Sequence, residues 1–397
     1  MLTRRMASTG DDLSILGFGC MRLPGRRQQI DEPRAMAMIR GAIDRGVNYI
    51  DTAVPYHGGQ SEPFVGRMLQ DGYRERVKLA TKLPPWKVST RDDMDRILGE
   101  QLEKLQTDHI DYYLVHSLNA KSWGKMLELG VTEFLESALA DGRIINAGFS
   151  FHGKVEGFKT IVDGYDWRFC QIQYNILDTH RQAGTEGLMY AADRGLGIIV
   201  MEPLRGGSLT KSVPPSVQAI WDSGSFTRTP AEWALRWIWN HPQVHVILSG
   251  MSTEEQVEEN IRIADVALPE SLNDEELAII DRATAAYEEL ERVPCTACAY
   301  CMPCPAGVDI PGCFELLNDL GRFGDRGRTR MIYSFRIGGV MSPTPGYASL
   351  CTNCGKCVKA CPQSIPVPER LKDVSRELEW FLTKPMAWMM KRRVGGS

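Results

Sequence analysis

The chain has 397 residues, a length that suits one α/β barrel of about 250 residues plus a second domain, or two to three ordinary domains. With 43% hydrophobic and 24% charged residues it can bury a large core, which excludes global disorder. A net charge of −4 speaks against a nucleic-acid partner held by overall charge. No apolar run approaches the roughly 18 residues of a membrane span. The opening MLTRRMASTGDD lacks the apolar centre of a signal peptide, so the expectation is a cytoplasmic protein without a transmembrane segment. Of the 11 cysteines, the stretch from Cys295 to Cys361 holds all but Cys20 and Cys170. In a reducing compartment such a cluster points to metal rather than to disulfides. The expected division is a cysteine-poor region, 1–290, followed by a cysteine-rich one, 291–397.

In chain order the front region offers strand-like runs at 15–21, 47–53, 77–83, 110–118, 145–151, 169–175, 196–204 and 244–250. Amphipathic stretches lie between them, among them EPRAMAMIRGAIDRG, RDDMDRILGEQLEKLQ, KMLELGVTEFLESALADG, AEWALRWIWNHP and TEEQVEENIRIADVAL. This alternation predicts βα units around a parallel sheet, and several strands are apolar on both faces, as in a covered sheet. Eight such units in about 250 residues match a closed (β/α)8 TIM barrel of the α/β class. A doubly wound open sheet competes, but no GxGxxG stands between the first strand and its helix.

A barrel carries its chemistry at the C-terminal ends of its strands. There the sequence sets Asp51 at the end of the second strand with Tyr56 in the following loop, Lys82 at the end of the third and His116 at the end of the fourth. Taken singly, each has a structural explanation as a helix cap, a packed ring or a strand-end histidine. Together they are a carboxylate, a phenol, an ammonium and an imidazole at one mouth. That set suits proton delivery to a carbonyl oxygen. A free tyrosine titrates near ~10, and a neighbouring ammonium is expected to lower that value while Asp51 holds Lys82 charged. No serine or cysteine nucleophile motif accompanies the set, so a hydride from a nicotinamide is the natural second reactant.

The segments GVNYIDTAVPYHGGQSE, ATK and YYLVHSLN resemble the aldo-keto reductase superfamily, and the resemblance spans the whole front region. It implies Tyr56 as general acid/base, Lys82 and Asp51 as its tuners, and His116 as the group orienting a small carbonyl or alcohol substrate. It also implies an extended NAD(P)H bound without a Rossmann turn. Ser150 and Gln173 would hold the carboxamide. The run Glu202, Pro203, Leu204, Arg205 and Gly206 would pass beneath the pyrophosphate. Ser252, Gln256, Glu259 and Asn260 would close on the adenosine end. That last segment lacks the Lys and Arg with which many members hold a 2′-phosphate, and this leaves NADH and NADPH both open.

The back region holds CTACAYCMPCP, with Cys295, Cys298, Cys301 and Cys304, and CTNCGKCVKACP, with Cys351, Cys354, Cys357 and Cys361. The second block has the C-x2-C-x2-C-x3-C-P spacing of a bacterial ferredoxin [4Fe–4S] site. Two CxxC pairs on one zinc ion are the competing reading. In two-cluster ferredoxins the fourth cysteine of each block ligates the other cluster. Carried over, Cys361 joins Cys295, Cys298 and Cys301, and Cys304 joins Cys351, Cys354 and Cys357. The first block has two residues rather than three before Cys304, so one cluster and two are both open. Cys313, Cys20 and Cys170 read as buried small hydrophobes.

Between the blocks, GRFGDRGRTRMIYSFRIGG reads as a solvated loop offsetting anionic clusters, or as a docking patch for an acidic electron-transfer protein. The tail WFLTKPMAWMMKRRV suits packing against the barrel or a second subunit, or contact with a membrane surface. The expected function is NAD(P)H-dependent reduction of an aldehyde or ketone, or the reverse, in a barrel fused to a mostly helical ferredoxin-like domain. The alternatives are an iron–sulfur relay to a ferredoxin-type partner and a non-catalytic redox or regulatory subunit.

Overall fold

The computed structural model describes residues 1–26, 29–340, 342 and 344–394. The chain divides into two compact units, one of Met1–Leu209 with Arg228–Ile280 and one of Thr210–Thr227 with Asp281–Ser397.

The first unit is a closed barrel of eight parallel strands, here β1 (Leu16–Gly19), β2 (Tyr49–Asp51), β3 (Lys78–Leu83), β4 (Ile110–Leu118), β5 (Ile144–Phe151), β6 (Phe169–Gln173), β7 (Gly197–Met201) and β8 (Val244–Ser249). Each strand pairs with its neighbour in sequence, and Ile247 of β8 against Leu16 of β1 closes the ring. The open-sheet alternative is thereby excluded. All eight expected strands are present. The expected helix over 125–142 is instead two, Ala120–Glu128 and Val131–Ala140, because Gly130 sits at φ +78° between them and breaks the helical path.

Large side chains fill the barrel interior: Tyr49, Tyr112, Phe169, Ile199 and Val246 pack with Met6 and Leu13 of an N-terminal hairpin, Thr3–Met6 and Asp11–Ser14. The hairpin meets the first residues of the strands, Tyr49 and Phe169, so it plugs the end opposite the strand C-termini. Gly148 of β5 makes room for this filling, since a Cβ there would come within 2.5 Å of the Phe169 ring.

The second unit is mostly helical, with Ile310–Phe323, Arg326–Arg336, Lys356–Ala360, Val367–Leu378 and Thr383–Val394. Its core joins Val293, Phe314, Leu317, Tyr333, Ile337, Val367, Leu371 and Val374, and six of the cysteines pack along that core. The stretch read as a loop from 321 to 339 is the end of one helix and the whole of the next, and four of its five arginines have the following partners inside the unit. Arg322 bonds Glu291, Arg326 Nη2 lies 2.6 Å from Glu377, Arg330 Nε donates to the Glu377 carbonyl at 2.8 Å, and Arg336 Nη2 lies 2.8 Å from Glu315. Three of the five guanidiniums thus meet carboxylates of the same unit.

Candidate active site and metal centre

At the C-terminal ends of β2 and β3, Lys82 Nζ lies 2.6 Å from Asp51 Oδ2 and donates to the Thr52 carbonyl at 2.8 Å, with both side chains buried. The same Nζ stands 5.3 Å from the centre of the Tyr56 ring. The His116 ring approaches Tyr56 edge-on at 6.4 Å between centres, and Trp86 flanks it at 5.2 Å. All four groups therefore share one end of the barrel.

The loop that carries Tyr56 is tied down by the two residues that end the quoted motif. Ser61 Oγ pairs with Thr52 Oγ1 at 2.8 Å, and Glu62 accepts hydrogen bonds from Thr81 Oγ1 at 2.7 Å and Gln101 Nε2 at 2.8 Å. Gln101 Nε2 also donates to the Lys82 carbonyl at 3.0 Å, and Tyr113 donates to Gln101 Oε1 at 2.8 Å. This buried network fixes β3 beneath Lys82. The sequence analysis gave Glu62 and Gln101 no role, although Glu62 stands inside the quoted motif.

The electrostatics depart from expectation at one group. Burial, with the Asp51, Glu202 and Cys20 charges adding to it, pushes the Tyr56 phenol well above its ordinary value, against a smaller opposing effect of Arg22. The Lys82 charge is paired with Asp51 and does not deliver the expected lowering. Tyr56 is thus held as a neutral phenol, a proton donor. Burial, then the Lys82 charge, push His116 well below its usual range, so the imidazole is neutral as well. Burial raises the Asp51 carboxyl, and Lys82 opposes that rise. The His116 Nδ1 is buried and has no hydrogen-bond partner among the described residues.

The residues expected to hold a nucleotide lie in the last two residues of β5 and β6 or after β7 and β8, with different degrees of freedom. Ser150 Oγ accepts from Ser117 N–H at 2.8 Å. Gln173 is engaged at both ends of its amide, donating to Asp178 Oδ2 at 2.8 Å and accepting from Gln182 at 2.8 Å. Two residues earlier on the same strand face, Gln171 is buried with its Oε1 unpartnered. An orphaned amide oxygen in a buried position fits a carboxamide N–H, and Gln171 is better free for that task than Gln173.

After β7, Glu202 and Arg205 both take positive φ, +54° and +46°. Pro203 is buried, and Leu204 and Gly206 are half-buried. Arg205 Nη1 pairs at 2.8 Å with the fully buried Asp178, a residue without a sequence signal of its own. Glu202 Oε1 faces Arg22 Nη2 at 3.7 Å. After β8, Ser252 Oγ donates to the Arg22 carbonyl at 2.7 Å, and Ser252 N–H donates to Gln256 Oε1 at 2.8 Å. Asn260 donates to Ser249 Oγ at 2.7 Å and Glu259 accepts from Thr229 at 2.6 Å, so both brace their own helix, Glu254–Ala264, and its neighbours.

In the second unit, Cys295, Cys298, Cys301 and Cys361 line one shallow recess, walled by Ile310, Pro311, Phe314, Ile365 and Val367. Three cysteines of the first block thus meet the fourth of the second. Burial, then the neighbouring Cys295, push the Cys301 thiol up to about 11. Burial raises the Cys357 thiol too, with Cys351 and Cys354 close enough to add to the effect.

Each block is moored by one buried polar residue that the sequence did not flag. Asn318 Oδ1 accepts from Arg292 N–H and Val293 N–H at 3.0 and 2.9 Å, just ahead of Cys295. The Tyr333 hydroxyl accepts from Ala348 N–H at 2.9 Å and donates to Glu379 at 2.6 Å, just ahead of Cys351.

A parallel eight-stranded barrel with this constellation at its mouth defines an oxidoreductase of the aldo-keto reductase type. The chain belongs to the aldo/keto reductase family, whose model matches residues 15–222 and 224–285, and it carries a 4Fe-4S dicluster domain at 294–365. Among curated relatives it is 27% identical over 281 residues to L-galactose dehydrogenase of Arabidopsis thaliana, spanning 65% of this chain and 86% of that protein. Among solved structures it is similar to the holo form of an aldo-keto reductase from Bacillus halodurans, with TM-score 0.61, 26% identity, and 71% and 96% of the two chains covered. An aldo/keto reductase from Klebsiella pneumoniae in complex with NADP and acetate matches with TM-score 0.56 and 26% identity over 70% and 94% of the chains.

Proposed function

We propose that the barrel catalyses the reversible, NAD(P)H-dependent reduction of a small aldehyde or ketone. The observation that carries this reading is the buried Asp51–Lys82 pair beside a neutral Tyr56 and a neutral His116. In the direction of reduction Tyr56 gives its proton to the carbonyl oxygen, beside a Lys82 ammonium that Asp51 holds in place. Neutral His116 donates a hydrogen bond to the same oxygen and sets the plane of the carbonyl. The nicotinamide, when bound, supplies the hydride, or accepts it from the alcohol. Gln171 and Ser150 are the groups assigned to its carboxamide, with Glu202 to Gly206 and the 252–260 segment along the rest of the dinucleotide. The Klebsiella neighbour, described with NADP, supports the choice of cofactor.

The second unit is proposed to hold two [4Fe–4S] clusters, one on Cys295, Cys298, Cys301 and Cys361, the other on Cys351, Cys354, Cys357 and Cys304. The support is the recess shared by the first four cysteines, together with the dicluster match. Thiols held as high as that of Cys301 must lose their protons to iron, so loading releases protons. Tyr56→Phe tests the barrel reading: nicotinamide-dependent carbonyl reduction falls at least about a hundredfold while iron content is unchanged. Unchanged turnover would refute the assignment.

A further inference from the structure

The C-terminal helix Thr383–Val394 has two unlike faces. Thr383 and Ala387 are buried, and the packing partner is close: a Cβ on Gly338 would stand 2.5 Å from that of Ala387. The opposite face, with Phe381 just ahead of it, is open. Phe381 is 80% exposed, Trp388 59% and Met389 44%. Pro385 and Arg392 are exposed on that same face and Lys384 on its flank, while Lys391 continues the Thr383–Ala387 stripe and donates to the Ser342 carbonyl at 3.5 Å. Arg392 stacks on the Trp388 ring at 4.1 Å, which sets a cation and an indole at one level. From Trp380 to the end the chain contains Lys384, Lys391, Arg392 and Arg393 and no acidic residue.

From this geometry we infer that the exposed face of Thr383–Val394, with Phe381, docks on an anionic phospholipid surface. Phe and Trp side chains flanked by Lys and Arg are the combination that lies in a lipid headgroup layer, with rings inserted and cations at the phosphates. The helix rests on that surface and does not cross it, for no described helix is long and apolar enough to span a membrane. A second copy of the chain is the other candidate to cover the face. A twofold contact would set this patch against itself, and then Lys384 and Arg392 would meet their own kind. An anionic surface removes that repulsion.

The test is cosedimentation of the full-length, cluster-loaded protein with phosphatidylcholine vesicles, with and without about one quarter phosphatidylglycerol, a fraction large enough to give the strongly negative surface that polybasic segments sense. The expected result is at least about tenfold stronger partitioning onto the anionic vesicles, largely lost in about 0.5 M salt, where the Debye length shrinks below the charge spacing. Lys384→Glu with Arg392→Glu should abolish it, and Phe381→Ser with Trp388→Ser should weaken it at least about tenfold. These exposed positions leave iron and sulfide content unchanged, which serves as the folding control. Binding to neither vesicle, or equally to both, overturns the inference. So does a sedimentation dimer that Trp388→Ser converts to monomer without any vesicle binding.

Discussion

Asp51 and Lys82 are both essentially out of contact with solvent, and their oxygen and nitrogen are 2.6 Å apart. Removing one partner therefore leaves an uncompensated charge in the barrel, at a cost of about 3–5 kcal/mol. Lys82→Met is expected at the upper end, because Asp51 keeps no cation. Asp51→Asn is expected at the lower end, because the Thr52 carbonyl and the new amide oxygen still accept from Nζ. The double variant Asp51→Asn/Lys82→Met removes both charges and should be less destabilised than the sum of the singles by about 2 kcal/mol or more. The sign of the pH dependence follows from Asp51. Its folded pKa is already raised by burial, and Lys82 is what opposes the rise. Without Lys82 the folded state holds a proton on Asp51 more tightly than the unfolded chain, whose value is near ~3.9. Stability of Lys82→Met should thus increase as pH falls from neutral through the raised folded value, levelling off near the unfolded one. Urea titrations followed by far-UV circular dichroism, with cluster absorbance recorded in parallel, measure both effects. Singles within about 1 kcal/mol of wild type, or strictly additive costs, would refute the reasoning.

Three further outcomes follow. Glu62→Ala strands the buried Thr81 and Gln101 donors and should cost about 2–3 kcal/mol, Glu62→Gln markedly less, as read by the same titrations. Cys361→Ser should remove about half of the iron and acid-labile sulfide, the share of one cluster in two, and leave a ferredoxin-like visible spectrum from the other. Loss of all iron, or of none, would contradict the shared recess. With Tyr56 shifted up and His116 shifted down, kcat/KM for reduction should be level from about pH 6.5 to 9, between the two ordinary values. An inflection near pH 8 would show that Lys82 acts on the phenol after all.

What the sequence made legible was whatever repeats locally. Eight apolar runs alternate with amphipathic stretches, and each run lies on a barrel strand because a strand covered on both faces must be apolar throughout. The cysteine blocks were legible for a related reason: ligand spacing on a cube is a short-range constraint. The placing of Cys361 with the first block, carried over from two-cluster ferredoxins, agrees with the recess those four cysteines line. Gln171 and Gln173 mark the limit. They share a strand face and a residue type, and only the long-range partners Asp178 and Gln182 show which amide is engaged.

The same limit explains the charges. Nothing local to Tyr56 tells whether the Lys82 field reaches the phenol or is taken up by Asp51, and the sequence-based direction failed there. The two basic segments of the second unit make the point most sharply. By composition, 321–339 and the tail are alike, arginine-rich with aromatics. In the first, Glu291, Glu315 and Glu377 reach the guanidiniums from elsewhere in the unit, and the charge is absorbed into the packing of helices. In the tail, Arg392 lies on Trp388 rather than on a carboxylate, and the apolar rings beside it stay exposed. A helix that leaves aromatic and cationic groups together in water forgoes the burial its rings would gain, a loss that an anionic apolar boundary removes. Of the two segments the sequence singled out for a partner, the first meets carboxylates of its own unit, and the second, without them, is where an anionic surface fits.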